Sequence, residues 1–259
     1  MRRSDSRNQP ALGFVYWPVR LICVCWVGIV LGQTPPPRLD PALLHAIEER
    51  KRTEGEAQKY AYKEQRRNIN YDANGKAKLD FTDTYEIIFL DGAPRKKHIL
   101  HDGRPLSEKQ QKAEDRNPNQ GETGLRLALP LDKLATRFIV TLEKDEDYDG
   151  HACAVFLAVP QSGETEAAKD GTAYEIKLWV DRQDAVFVRI EARAVARVMR
   201  YEKDSVVVYE FKKVNDEAWL PSRFWFKGNV RFLKRDVPVE AEQVYSDYRK
   251  FQVETKVLP

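Results

Sequence analysis

Cysteine is scarce in this sequence, with three in 259 residues. Cys23 and Cys25 sit in an apolar N-terminal run, which leaves Cys153 alone in the remainder. A lone thiol excludes an internal disulfide there, even in an oxidising compartment. A remainder of about 220 residues buries enough core to fold without one. Cys153 lies in a mostly apolar stretch and reads as a buried, inert thiol. Catalytic signatures are missing too. There is no G-x-S-x-G elbow, phosphate loop, H-E-x-x-H or dinucleotide fingerprint. The sequence therefore predicts no enzyme and no cofactor. Carboxylates are plentiful, so a hydrolase with an unrecognised acidic pair is a rival that rests on acid count alone.

Long hydrophobic runs are also lacking. The one uncharged apolar run is Leu21 to Leu31, and Arg20 separates it from the apolar residues before it. That is shorter than the roughly 20 residues of a bilayer span. With Arg2, Arg3 and Arg7 ahead of it and Val30-Leu31-Gly32 behind, it has the layout of a cleavable secretory signal. The expectation is a signal over 1–32, a Pro-rich linker over 33–39 and a single domain over 40–259, exported to the periplasm. An uncleaved inner-membrane anchor is the rival. No Cys follows the cut, so no N-terminal lipid is expected. The 43 basic and 40 acidic residues include four basic and one acidic before residue 33, which leaves 39 of each. A formally neutral domain does not suit nucleic acid. Arg95-Lys96-Lys97 reads as a solvated edge defence.

What is present is mostly alternation. Asp40-Pro41 opens a helix, with Asp as N-cap and Pro at the first position, Leu43, Leu44 and Ile47 as its stripe, and Gly55 as its stop. Asn74-Gly75 signals a hairpin. Leu79, Phe81, Tyr85, Ile87 and Phe89 then share one face of a half-buried strand, opposite Lys78, Asp80, Thr82, Thr84 and Glu86. Asp83 falls on the apolar face, so it must be paired, lie at the rim or be turned outward by a bulge. Ser107 and Gln110 fit a capping box for a polar helix over 107–116, followed by a loop to 124. Residues 131–135 suggest a helical turn. Strands follow near 138–147, 152–159, 173–180, 185–200, 205–214, 219–233 and 237–254. Over 185–200, Val186, Val188, Ile190, Ala192, Ala194, Ala196 and Val198 share a face whose small residues either leave room for a helix or a ligand or merely accommodate neighbouring aromatics.

Two motifs suggest metals and are read otherwise. His98 and His101 are three apart, and on a regular strand they point to opposite faces, which predicts no shared ion. Asp145 to Gly150 spells D-x-D-x-D-G, but the twelfth position is Phe156 rather than Glu, so it reads as an acidic hairpin turn. His45 and His151 are isolated.

Lys177-Leu-Trp-Val-Asp181 with Val186 to Glu191, Ala218-Trp-Leu-Pro-Ser222 and Tyr245 to Phe251 resemble the periplasmic lipoprotein-carrier, or outer-membrane lipoprotein-sorting-like, superfamily over most of 40–259. The resemblance implies a mainly β (α+β) fold: a curved, incompletely closed antiparallel β-barrel, with an N-terminal helix and a helical insertion covering the concave face. It also implies that lipid or lipoprotein acyl chains bind in the cavity, as in lipoprotein sorting. Candidate cavity residues, each on the apolar face of its strand, are Phe81, Tyr85, Ile87, Phe89, Tyr174, Ile176, Leu178, Val188, Ile190, Ala192 and Ala194. The alternative is an envelope-sensor or protein-interaction domain with a filled core, binding through an exposed edge or the insertion. A monomer is expected in either case.

Overall fold

The computed structural model describes residues 39–71, 76–90, 93–116, 129–232 and 235–251. The expected signal, nearly all of the expected linker, the turn expected at Asn74-Gly75 and the loop expected after residue 116 lie outside them. The chain divides after Pro36 into two units, and the described residues all belong to the second, Pro37–Pro259.

Helix α1 (Pro41–Glu56) starts as expected, with Asp40 Oδ1 accepting from Ala42 N at 2.8 Å. It continues through Gly55 and ends against Ala57. Its buried stripe is Leu43 and Ala46, flanked by half-buried Ile47, while Leu44 is exposed. Strands β1 (Tyr60–Tyr71), β2 (Ala77–Leu90), β3 (Ala93–His101) and β4 (Arg104–Pro105) follow, and then α2 (Glu108–Arg116). The capping box of α2 forms reciprocally. Ser107 N donates to Gln110 Oε1 at 2.9 Å, and Gln110 N to Ser107 Oγ at 3.4 Å. A 3₁₀ turn leads into α3 (Leu134–Arg137), then β5 (Phe138–Tyr148), β6 (His151–Pro160), α4 (Glu164–Asp170), β7 (Tyr174–Asp181), β8 (Phe187–Ala194), β9 (Val206–Val214), β10 (Ala218–Phe232) and β11 (Arg235–Lys250).

The strands form one antiparallel sheet in the order β4-β3-β2-β1-β11-β10-β9-β8-β7-β6-β5. Its end strands β4 and β5 do not pair, so the sheet is curved and open, the architecture expected. The acidic run at 145–150 is a hairpin, as read. Asp149 and Gly150 both have positive φ (53° and 80°), the geometry of a two-residue type I′ turn, and glycine adopts it without strain. Two motifs from the sequence meet at one end of the sheet. Asp181 Oδ1 accepts from Gln183 N and Asp184 N at 2.8 and 2.6 Å, which caps the β7–β8 turn. Asp184 Oδ2 accepts the indole N–H of Trp219 at 2.9 Å, tying the start of β10 to that turn.

Two elements differ from expectation. The strand expected over 185–200 stops at Ala194. Val195 N is drawn to Ala173 O, and Val198 bridges back to Tyr201 around Met199, whose φ is 54°. Helix α4 was not expected, although it carries its own signals: Glu164 and Glu166 in the first turn, and Gly171 at φ 76° as the stop.

One buried cluster joins Leu43 and Ala46 of α1 and Leu134 of α3 to side chains of β5 through β10. Cys153 is buried within it, and burial pushes its thiol up to about 11. Tyr174 is 2% exposed, and its hydroxyl has no hydrogen-bond partner among the described residues. An unsatisfied buried hydroxyl costs about 1–3 kcal/mol. Tyr174→Phe is therefore expected to stabilise the protein by about 1 kcal/mol, raising Tm by roughly 2–4 °C. A calorimetric Tm at or below that of the unmodified protein would show that the hydroxyl is satisfied.

The opposite face is charged. Glu191, Arg189, Glu210, Arg223, Glu242 and Arg67 form an alternating ladder across β8, β9, β10, β11 and β1, with successive contacts of 2.7, 2.6, 3.5, 2.7 and 3.0 Å.

Candidate functional site

Directly opposed residues in an antiparallel sheet share a face. Following the register from β6, one inner-face row reads Phe156, Leu178, Ile190, Tyr209, Phe224, Gln243, Arg66, Asp83, His101. The next reads Ala158, Ile176, Ala192, Val207, Phe226, Ala241, Asn68, Phe81. The inner face thus has an apolar part over β6–β10 and a polar part over β1–β3 and β11. Helix α1 lies on the apolar part, and its Arg50 guanidinium stands 4.7 Å from the Phe211 ring centroid.

The polar part is organised around Asp83, which is 8% exposed. His101 Nδ1 lies 2.7 Å from Asp83 Oδ1, and His98 Nε2 lies 3.1 Å from the same oxygen. Tyr85 donates to Asp83 Oδ2 at 3.3 Å, and its ring stacks on His98 with centroids 4.5 Å apart. His101 Nε2 faces Asp102 Oδ2 at 3.7 Å. Hydrogen bonding to Asp83 raises the His101 pKa above its ordinary value. Beside this group, Glu64 pairs with Arg66, and Lys96 Nζ lies 3.7 Å from Glu64 Oε1 and 3.6 Å from the Tyr85 ring centroid. Burial, partly offset by Glu64, pulls Lys96 down to about 8.

His98 and His101 share a face, contrary to the regular alternation expected of this strand. The β2–β3 register runs Asp83↔His101, Thr84↔Leu100, Tyr85↔His98. Ile99 is an extra residue, a β-bulge that resets the alternation. Both imidazoles therefore reach the inner face, as does Lys96, opposite Ile87. Lys96 is thus drawn inward, and only its neighbours fit the solvated-edge reading, with Arg95 and Lys97 opposite Ile88 and Glu86 on the other face. Asp83 is explained by pairing, one of the three options its position left open.

The eleven candidate cavity residues fall into two places. Tyr174, Ile176, Leu178, Val188, Ile190, Ala192 and Ala194 belong to the closed cluster beneath α1. Phe81, Tyr85, Ile87 and Phe89 lie on β2, outside that cluster, with Tyr85 and Ile87 buried and Phe81 and Phe89 half-buried. Glu64, Arg66, Lys96, His98 and His101 were not foreseen as a group. The available signal was Asp83, since a carboxylate on a buried face requires donors from neighbouring strands.

No family model and no curated protein matches this chain. Among solved structures it is similar to an outer-membrane lipoprotein-sorting protein domain from Vibrio parahaemolyticus, at 13% identity over 83% of this chain and 93% of that one, TM-score 0.39. It is also similar to a DUF1329 family protein from Desulfovibrio piger (14%, 84% and 93%, TM-score 0.37) and to a LolA superfamily protein from Nitrosomonas europaea (11%, 82% and 97%, TM-score 0.30). The likeness is one of fold.

Proposed function

We propose that this chain is an exported, non-catalytic binding protein of the bacterial envelope that engages a protein partner along its sheet, its interior being filled by its own side chains. The close packing beneath α1 supports this reading. Among the described residues, the space between α1 and the sheet beside Ala46, Phe187 and Phe211 is a cavity of about 20 Å³, room for a single water. A neighbouring groove of about 300 Å³ is lined largely by polar and charged groups, among them Glu49, Arg52, Asp184, Lys213 and Glu217. Small-molecule pockets are mostly apolar and run from roughly 300 to 1,000 Å³.

The outer edge of β5 is the docking strand in this reading. No described strand pairs with it. Ile139 and Leu142 are about half exposed, Phe138 to Leu142 carry no charge, and charged residues begin at Glu143. An extended segment of an envelope partner adds there as a further strand, with main-chain hydrogen bonds providing affinity. No described helix is long and apolar enough to cross a membrane.

The acyl-carrier reading keeps one supporting observation. Tyr174, Ile176, Leu178, Val188, Ile190, Ala192 and Ala194 belong to one buried apolar cluster, which α1 joins through Leu43 and Ala46. An acyl chain would enter by displacing α1 and would be held at about 0.8 kcal/mol per buried CH₂. One experiment separates the two. Lipid extraction of the protein purified from its native envelope, with fluorescent fatty-acid titration, is expected to give no bound acyl species and no saturable signal. An acyl chain recovered near one per protein would overturn the filled-interior reading in favour of carriage.

A further inference from the structure

We propose that Asp83, His98 and His101 bind a divalent transition-metal ion on the inner face of the sheet, with zinc the best fit to the donor set. The Ile99 bulge makes this possible by turning both imidazoles toward one carboxylate. One donor atom from each residue, Asp83 Oδ1, His98 Nε2 and His101 Nδ1, lies within 4.8 Å of the other two. Two of these separations are 3.1 and 2.7 Å. Donors on a tetrahedral ion at 2.0–2.1 Å stand about 3.3 Å apart, so small side-chain rotations convert the hydrogen-bonded cluster into a coordination shell. His98 Nε2 is also 2.9 Å from Leu100 O, so without metal that nitrogen holds its proton toward two oxygens. Metal binding needs a lone pair on His98 Nε2 and on His101 Nδ1, so each ring carries its proton on the other nitrogen when it ligates.

The surroundings fit the same chemistry. Ligating histidines usually offer the remaining ring nitrogen to a carboxylate, which fixes the ring orientation. Asp102 faces His101 Nε2 and is itself held by Thr82 N at 2.9 Å. Tyr85 orients the other oxygen of Asp83 and stacks on His98. Arg66 and Lys96, the nearby cations, both contact Glu64, which offsets one of their two charges. The His101 side chain is 42% exposed, so the ion exchanges with solvent and keeps an open position for water or an anionic ligand. Imidazole nitrogen with one carboxylate oxygen suits zinc over calcium or magnesium, which take oxygen donors.

The test is calorimetric titration of the chelator-stripped full chain with zinc chloride, beside His101→Ala and Asp102→Asn. His101→Ala takes one donor from the buried Asp83 carboxylate, so it is expected to melt a few degrees below the parent in chelator and is titrated well below that temperature. The parent is expected to bind one zinc. His101→Ala is expected to bind at least about 100-fold more weakly, and Asp102→Asn about 10-fold more weakly, as loss of an orienting carboxylate costs elsewhere. Absence of saturable binding would overturn the site. So would binding that His101→Ala leaves unchanged, since the heat would then belong to His45 or His151.

Discussion

Replacing Gly228 by alanine is expected to destabilise the protein by about 3 kcal/mol, the upper part of the range for forced overpacking. Gly228 lies within β10, where its backbone meets Ser205 just before β9. A Cβ there would stand 2.2 Å from Ser205 Oγ, 2.5 Å from its Cβ and 2.8 Å from its Cα. Ser205 is 4% exposed and cannot yield easily. Its carbonyl accepts from Ala194 N at 2.9 Å, and its N–H donates to Glu202 O at 3.2 Å. The clash is therefore with fixed backbone rather than with the end of a flexible side chain. For a domain of this size the change corresponds to a fall in Tm of roughly 6–12 °C. Adding Ser205→Gly removes two of the three close contacts and is expected to recover part of the loss. A Gly228→Ala protein melting within 2 °C of the parent would show that the strands part freely here.

The second large effect is a rise in stability with alkaline pH, traced to Lys96. Its folded pKa near 8 lies below the ordinary 10.5 because burial disfavours the ammonium. Between these values the unfolded chain holds a proton that the folded chain has released, so stability increases with pH. The gain is absent below about pH 7 and reaches about 2 kcal/mol near pH 9.5. Cys153 acts in the opposite sense over the same window. Its folded pKa of about 11 lies above the ordinary 9, so the unfolded chain loses that proton first. The measurement is accordingly a difference: urea midpoints of the parent and Lys96→Met at pH 7 and 9.5. The parent is expected to gain on the variant by about 2 kcal/mol over that interval. Parallel pH profiles would show that Lys96 stays hydrated and charged in the folded protein.

The features legible in the sequence were those written in local chemistry. Asp40-Pro41 marks the start of α1, Ser107 and Gln110 close their capping box, and Asp149-Gly150 turns the β5–β6 hairpin as its letters require. Alternation from Phe81 to Phe89 located β2 and flagged Asp83 as anomalous. Features set by pairing between distant strands were not legible. Nothing in Lys97-His98-Ile99-Leu100 says which residue is extra, because the bulge is defined by the partner strand. Arg66 and Gln243 look like surface residues in isolation, and only the order β2-β1-β11 places them in one row with Asp83. The end of β8 at Ala194 is hidden for the same reason, since the pattern Ala192, Ala194, Ala196, Val198 continues after the hydrogen bonds leave the sheet.

The bulge also makes β3 a segment read by parity. Each residue from Ala93 to His98 stands one place out of step with His101 in the sequence because an extra residue intervenes. Deleting Ile99 would restore simple alternation and leave the two sides of that stretch as they are, because the pairs on either side of the bulge are already in register without it. His98 would stay opposite Tyr85 and Lys96 opposite Ile87 on the inner face, with Lys97 and Arg95 still outside. Loss of that one codon thus removes the bulge and keeps the orientation of the segment, whereas loss of a second would reverse all of it.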